Sequence, residues 1–379
     1  MEEFNTQEVA KKIIEKLQKE RSNLNRLNVM VLGKSGVGKS TLINNVFGES
    51  LAETGVGKPI TQKMRKYEKE NFPISIYDTP GFELGGTNAQ KEILEEVNLV
   101  MKNGAKTGNI SEAIHCIWYC VSSASHRFED AEKDFVDKFT SEASKYNVPV
   151  IIVLTQSFSK KDTQALKDEI EKENLDVAKI VPVLADNYEI DEDYIAKSYG
   201  LDNLVEVMEG VIPEAVRNTL VTVQKASISL KKKKARAIVA SAAVTAAAAG
   251  AVPIPFSDAA LLVPDQIAML AGITGVFGLP IEKSSLAAVI SSTIGTSGAT
   301  VLGKTAVTGI LKCIPGIGSI VGGAISASIA STITTALGEA YIGIMTLILS
   351  GEMKVSDLET DAGKATIAKL FKEKLSVKK

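Results

Sequence analysis

The sequence predicts an α/β, doubly wound phosphate-loop domain, preceded by one amphipathic helix and followed by an all-α domain of small residues. Three observations carry that expectation. Residues 29–47 read VMVLGKSGVGKSTLINNVF, an apolar run, a Gly-rich turn and a helical segment in succession. Over residues 28–218, apolar strand candidates alternate with amphipathic stretches, the pattern of a parallel sheet covered on both faces. Composition then changes near residues 231–234, and between residues 237 and 350 only seven side chains are charged: Asp258, Asp265, Glu282, Lys283, Lys304, Lys312 and Glu339. The expected divisions are an N-terminal helix over 1–27, the phosphate-loop domain over 28–218 and the helical domain over 219–379.

A chain of 379 residues is long enough to bury two cores. Its net charge of −2 offers no global basic field, so nucleic acid is not indicated as a partner. Cys116, Cys120 and Cys313 form no Cys-x-x-Cys pair, and His115 and His126 have no partners at zinc spacing. A reducing compartment without a structural metal is the simpler expectation. The first residues are charged and lack the apolar core of a secretory signal, which places the expected location in the cytoplasm.

Along the chain, Val9, Ile13, Leu17 and Leu24 recur at helical spacing among charges and give the N-terminal helix. The run 29–32 is a buried strand. After it, Gly33, Gly38, Lys39 and Ser40 fill the pattern G-x-x-x-x-G-K-[ST], with Gly36 as a third glycine in the turn. Glycines let consecutive N–H groups of Ser35, Gly36, Val37, Gly38 and on to Thr41 face phosphate oxygens, and the following helix adds the positive end of its dipole. Lys39 is expected to bridge the β- and γ-phosphates, and the Ser40 hydroxyl to ligate Mg2+.

Residues 51–63 contain Gly55, Gly57 and Pro59 and read as a loop, in which Thr61 is placed to complete Mg2+ coordination; an ordinary loop threonine is the alternative. A polar strand-like MRKYEKE follows. Residues 74–78 then end in Asp78-Thr79-Pro80-Gly81. An aspartate at a strand end holds the metal through water, and Gly81 offers its N–H to the γ-phosphate. In this order the motifs point to a GTPase-type switch.

Residues 114–121, IHCIWYCV, are a strand with Cys116 and Cys120 on one face as core. Phe128, Phe135 and Phe139 form a helical stripe after it, with Arg127 at its start. Residues 148–155 and 180–184 are further strands, the first ending in Thr155 and Gln156, the second in Ala185 and Asp186. Residues 201–220 are a closing helix interrupted by Pro213.

The C-terminal part has only Phe256, Phe277 and Tyr341 as aromatics between residues 237 and 350. Such composition makes close-packed helices. Residues 237–257 and 314–338, 21 and 25 long and uncharged, are also long enough to span a bilayer, with residues 231–236 as a basic anchor and Gly318 and Gly322 as a G-x-x-x-G pair. Asp258 and Asp265 count against a span and for a soluble bundle. Both forms are carried forward, with membrane contact, and association with the inner membrane, as the second.

With GKSGVGKST, PITQ, DTPGF and VLTQ in that order, the chain resembles the TrmE/Era/septin-like class of P-loop GTPases, and within it the immunity-related and chloroplast-import-type GTPases. The C-terminal part, through PIPFSDAALLVPDQ, resembles a helical domain appended to bacterial Era-like GTPases. The resemblance implies a G domain using GTP and Mg2+. The family's base-reading motif is [NT]-K-x-D, and here it is Thr155, Gln156, Ser157 and Phe158, so the guanine-reading carboxylate is replaced. What remains for base contact is Thr155, Gln156 and Ala185, with Asp162 or Asp186 nearby. Phe82 stands where Ras-type enzymes carry a water-orienting Gln, which implies slow hydrolysis. In import-type relatives an Arg-Phe pair reaches across a dimer, and Arg127-Phe128 match it, implying a homodimer through the G domain; a solvated arginine is the alternative. The expected catalytic set is thus Lys39, Thr61, Gly81 and Arg127, with Ser40, Thr61 and Asp78 on the metal. A binding module with little turnover and a membrane-associated oligomer regulated by nucleotide are the competing functions.

Overall fold

The computed structural model describes residues 6–48, 58–59, 64–69, 72–79, 87–191, 194–250, 263–279, 282–294 and 327–376. Thr61, Gly81, Phe82, Cys313, Asp258, Gly318, Gly322 and the side chain of Asp265 lie outside the described residues. The chain forms two compact units, one of residues Leu24–Ser227 and one that joins Met1–Asn23 to Ile228–Lys379. The first unit is therefore an insertion within the sequence of the second.

The inserted unit is built on a seven-stranded sheet. Its strands are β1 (Leu27–Gly33), β2 (Lys58–Pro59), β3 (Arg65–Lys69), β4 (Phe72–Asp78), β5 (Cys116–Ser122), β6 (Val150–Thr155) and β7 (Lys179–Pro182), in the order β2-β3-β4-β1-β5-β6-β7. From β4 to β7 all pairings are parallel; β3 runs antiparallel to β4 and β2 antiparallel to β3. All residues of β1 and β6 are buried, as a strand covered on both faces requires. The polar MRKYEKE run becomes β3, inside only the short β2. Register places Val31 of β1 opposite both Asp78, the last residue of β4, and Trp118 of β5, so the carboxyl edge steps outward by two residues from β4 to β1 and by two more to β5. Ligands of such sheets bind at that edge.

The chain's helices begin with α1 (Thr6–Ser22), which belongs to the other unit. In the inserted unit, α2 (Lys39–Phe47), α3 (Thr87–Lys106), α4 (Asp130–Ser144), α5 (Lys160–Lys172), α6 (Leu201–Val211) and α7 (Glu214–Val223) follow. Pro213 separates the last two, as its sequence position requires. Phe128, Phe135 and Phe139 are buried, and the rings of Phe135 and Phe139 stack. A two-stranded hairpin, β8 (Tyr188–Asp191) and β9 (Tyr194–Ala196), stands between β7 and α6.

The helical unit contains α8 (Ile228–Gly250), α9 (Val263–Phe277), α10 (Lys283–Ile294), α11 (Ala327–Leu349) and α12 (Asp361–Ser376). Here α1 buries Ala10, Ile13 and Leu17 and packs on α9 and α10. The N-terminal helix is thus part of the helical unit, because its apolar stripe needs a partner that only residues far along the chain supply. Small residues set the packing of α8 on α11: a side chain at Gly338 would run into Val239. Across them Arg236 pairs with Glu339 at 3.1 Å.

The basic run 231–236 differs from the expectation of a membrane anchor. It lies within α8, and Lys231 is fully buried, its Nζ donating to the carbonyls of Val276 (2.8 Å) and Phe277 (3.2 Å). Arg21 of α1 donates to Leu279 O at 3.3 Å. Two cations therefore meet the carbonyl end of α9, where the helix dipole is negative. The helix containing residues 237–250 carries that charge inside it, and among the described residues Ala330–Leu349 is the one helix long and apolar enough to cross a membrane. That stretch overlaps the expected 314–338 only in part, and Ala336, Leu337, Ala340, Tyr341 and Ile344 within it are buried in the helical core.

Candidate functional site

The phosphate loop leaves β1 at Gly33 and enters α2 at Lys39. Gly33 takes φ +146°, and a Cβ there would sit 2.5 Å from the Cys120 carbonyl oxygen, so only glycine lets β1 turn beside β5. Gly38 is the N-cap of α2 with φ 91°, left-handed and without a side-chain cap. The first N–H groups of α2 are consequently left for a ligand rather than satisfied by the protein.

Lys39 is buried and curls back along the loop, its Nζ donating to Gly33 O at 2.9 Å and Lys34 O at 3.0 Å. Both carbonyls hold the ammonium in place. Ser35, Gly36, Ser40 and Thr41 are exposed along the loop and first turn, while Val37 is buried beneath it. The loop and the first turn of α2 are therefore open to a ligand, and the Val37 side chain anchors the turn.

Asp78 ends β4 one strand from the loop. Its Oδ1 is buried without a hydrogen-bond partner among the described residues, and burial pushes the carboxyl up to about 6, against the opposing pull of Lys39 and Arg65. An orphaned carboxylate oxygen beside the loop lysine fits a cation ligand. With Ser40 at the start of α2, it supplies the described part of the expected Mg2+ set.

The turn after β6 completes the edge. Thr155 points inward, its hydroxyl donating to Val121 O at 3.1 Å, so it ties β6 to β5 rather than lining the site. Gln156 adopts φ 53° and spans two elements: its Oε1 accepts from Ser122 Oγ at 2.5 Å and its Nε2 donates to Gly36 O at 3.0 Å. The turn after β6 and the phosphate loop are thereby joined. Phe158 lies beside Tyr188, ring centroids 4.2 Å apart. Ala185 is half-buried past the end of β7, while Asp162 and Asp186 are exposed, the latter accepting from Asn187 N at 2.8 Å.

Arg127 is exposed in the loop between β5 and α4, next to buried Phe128. That loop meets the phosphate loop through Lys34, which pairs with Glu129 at 3.4 Å and with Glu132 at 2.9 Å. Glu132 is buried and also accepts from Tyr119 Oη at 3.2 Å. This Lys34–Glu132–Tyr119 link was not read from the sequence; its signal is an acidic residue inside the Phe128, Phe135, Phe139 stripe. Cys116 and Cys120 are free, buried thiols, Cys120 pushed up to about 12 by burial, and neither is reactive. Imidazole chemistry is equally excluded at His115, whose Nδ1 accepts from Asn28 N at 2.9 Å within the core.

Residues 28–156 match a protein family described as "50S ribosome-binding GTPase". Among curated relatives, septin-1 of Drosophila melanogaster is 28% identical over 223 residues, covering 52% of this chain and 58% of that protein. GTP-binding protein A of Dictyostelium discoideum is 30% identical over 118 residues, 31% of this chain and 24% of that one. The chain thus spans less than two thirds of the length of these relatives. Among solved structures, Toc33 of Arabidopsis thaliana in complex with GDP and Mg2+ is 22% identical, with TM-score 0.32 and coverage of 55% and 90%. Era of Aquifex aeolicus bound to GDP.AlF4- is 22% identical, with TM-score 0.33 and coverage of 50% and 58%. The family match falls on the stretch that runs from β1 through the phosphate loop and Asp78 to Gln156, and the inserted unit of this chain is a P-loop GTPase domain.

Proposed function

We propose that the chain is a Mg2+-dependent, GTP-binding and GTP-hydrolysing switch whose nucleotide state governs its helical unit. The observation that carries the reading is the open N-terminus of α2 beside the curled Lys39 and the orphaned Asp78 oxygen. Loop N–H groups and the Lys39 ammonium bind the β- and γ-phosphates, and Asp78 and Ser40 hold the cation. Mg2+, when bound, neutralises charge on those phosphates. Phe82, next in sequence after DTPG, has no group to orient water, which supports slow turnover. Coupling has a covalent basis: the GTPase domain is inserted between α1 and α8, so both its ends continue into the helical unit.

Turnover of GTP and ATP by the full chain, with Lys39→Ala as control, tests this reading. Phosphate release from GTP that requires Lys39 and Mg2+ supports it, and release unaffected by Lys39→Ala refutes it.

The position of Arg127 favours a homodimer that completes the site. Its loop adjoins the phosphate loop through the Lys34–Glu129 pair while its side chain is exposed. Turnover per molecule should then rise with protein concentration and stay flat in Arg127→Ala; concentration-independent wild-type turnover removes the dimer. Membrane contact by the helical unit, in the cytoplasm at the inner membrane, is the remaining element of the proposal; the Ala330–Leu349 stretch has the length and composition for it and would have to leave the helical core, where half of it is buried. Flotation with liposomes in GTP but not GDP supports it, and absence from the lipid fraction in both states removes it.

A further inference from the structure

We propose that Phe158 and Tyr188 form an aromatic platform on which the nucleobase stacks, so that the site takes purine nucleoside triphosphates by ring face and discriminates little between GTP and ATP. This rests on the nucleotide reading above and specifies how that site treats the base.

The placement comes from the strand ends. Phosphates belong at the loop after β1, and Gln156 ties the turn after β6 to Gly36 of that loop at 3.0 Å. A nucleotide lying along the carboxyl edge of a parallel sheet therefore passes from the loop toward the turns after β6 and β7. Those two turns meet where Phe158 touches Tyr188, their rings 4.2 Å apart and inclined by 42°. Phe158 is half-buried and Tyr188 is 48% exposed, so the pair stands at the surface, within reach of a ligand at this edge.

Polar groups of the same turn are already used. Ser157 O accepts from Tyr199 Oη at 3.0 Å, Ser157 N donates to Val183 O at 3.3 Å, and Phe158 N donates to Gln156 O at 2.8 Å. The Ser157 hydroxyl is spent on Leu154 O at 2.8 Å, and both ends of the Gln156 amide are engaged. No carboxylate occurs among residues 155–159. What this turn offers a base is an aromatic face, and every purine presents a matching one. Rejecting the wrong base strongly requires buried polar groups that it would leave unpaired; those of the turn after β6 are committed elsewhere, and Asp186 in the turn after β7 is exposed and accepts from Asn187 N.

The test is competition binding on the full chain with GTP, ATP and inorganic tripolyphosphate, for wild type, Phe158→Leu and Tyr188→Ala. The platform predicts GTP and ATP affinities within about tenfold of each other, both weakened about tenfold in Phe158→Leu, with tripolyphosphate unchanged. Tyr188→Ala, a change at a half-exposed ring, should weaken both nucleotides in the same direction. A preference for GTP above about a hundredfold overturns the proposal, because only an edge-reading polar group gives that ratio. So does unchanged nucleotide affinity in both variants, or a parallel loss for tripolyphosphate. If wild type binds tripolyphosphate but neither nucleotide more tightly, the platform fails and the phosphate site stands; if it binds none of the three, both fail.

Discussion

Replacing Asp78 by asparagine should stabilise the nucleotide-free protein and cripple its use of Mg2+. The native carboxyl sits near 6, raised by burial, with an Oδ1 that has no hydrogen-bond partner among the described residues. An unfolded aspartate titrates near about 3.9, so the difference of roughly two units corresponds to on the order of 2 to 3 kcal/mol. The sign follows from proton counts. Between about pH 4 and 6 the folded state holds a proton that the unfolded state has lost, so stability falls as pH rises through that window. Above about 6 the full cost of the buried charge is present, and below about 4 it is gone. Asp78→Asn removes that cost at neutral pH. Urea unfolding without Mg2+ or nucleotide, read by Trp118, reports on the neighbourhood directly, because Val31 pairs with both Asp78 and Trp118. The variant should exceed wild type by on the order of 2 to 3 kcal/mol at pH 7.5 and by about half that at pH 5. With Mg2+ and GTP present the order should reverse, since a ligand stabilises the form that binds it. A variant no more stable than wild type at pH 7.5, with no trend toward pH 5, would refute the account of Asp78 as a carboxylate held for a cation.

Gly33→Ala should destabilise the GTPase domain by about 3 kcal/mol, from a left-handed φ and a Cβ 2.5 Å from the Cys120 carbonyl oxygen; a Trp118-monitored urea midpoint equal to wild type would contradict the loop geometry. Lys231→Met should cost the helical unit about 1 to 3 kcal/mol, because it removes a buried donor to the carbonyls of Val276 and Phe277 at the negative end of α9. The check is the loss of far-ultraviolet circular dichroism on heating, and an unshifted curve would return Lys231 to the role of a surface charge.

Much of the first unit was legible because its signals are local. The apolar runs of β1 and β6, the loop glycines and Pro213 each dictate backbone behaviour within a few residues, and each lies where the sequence places it. The base-side turn was legible as a substitution, Phe158 for a carboxylate, but its partner was not. Tyr188 sits in a hairpin whose alternating Tyr-Glu-Ile-Asp followed by Tyr-Ile-Ala was the available signal, blurred by the acidic residues between those two runs. Residues 1–23 were legible as a helix and not as a member of the helical unit, since amphipathicity states that a face must be buried and says nothing about where. Lys231 misled for a related reason: a run of four lysines reads as one surface feature, whereas in a helix they point in different directions and one faces the core.

The most direct test of the central claim is the affinity of the full chain for GTP with Mg2+, wild type against Lys39→Ala, by calorimetry. Lys39 is the one side-chain cation the loop directs along its own carbonyls, at 2.9 and 3.0 Å from Gly33 O and Lys34 O. The account predicts saturable, Mg2+-dependent binding in wild type and a loss of at least about a hundredfold, roughly 3 kcal/mol, in Lys39→Ala. Equal affinity in the two proteins, or no GTP binding by wild type, would contradict it.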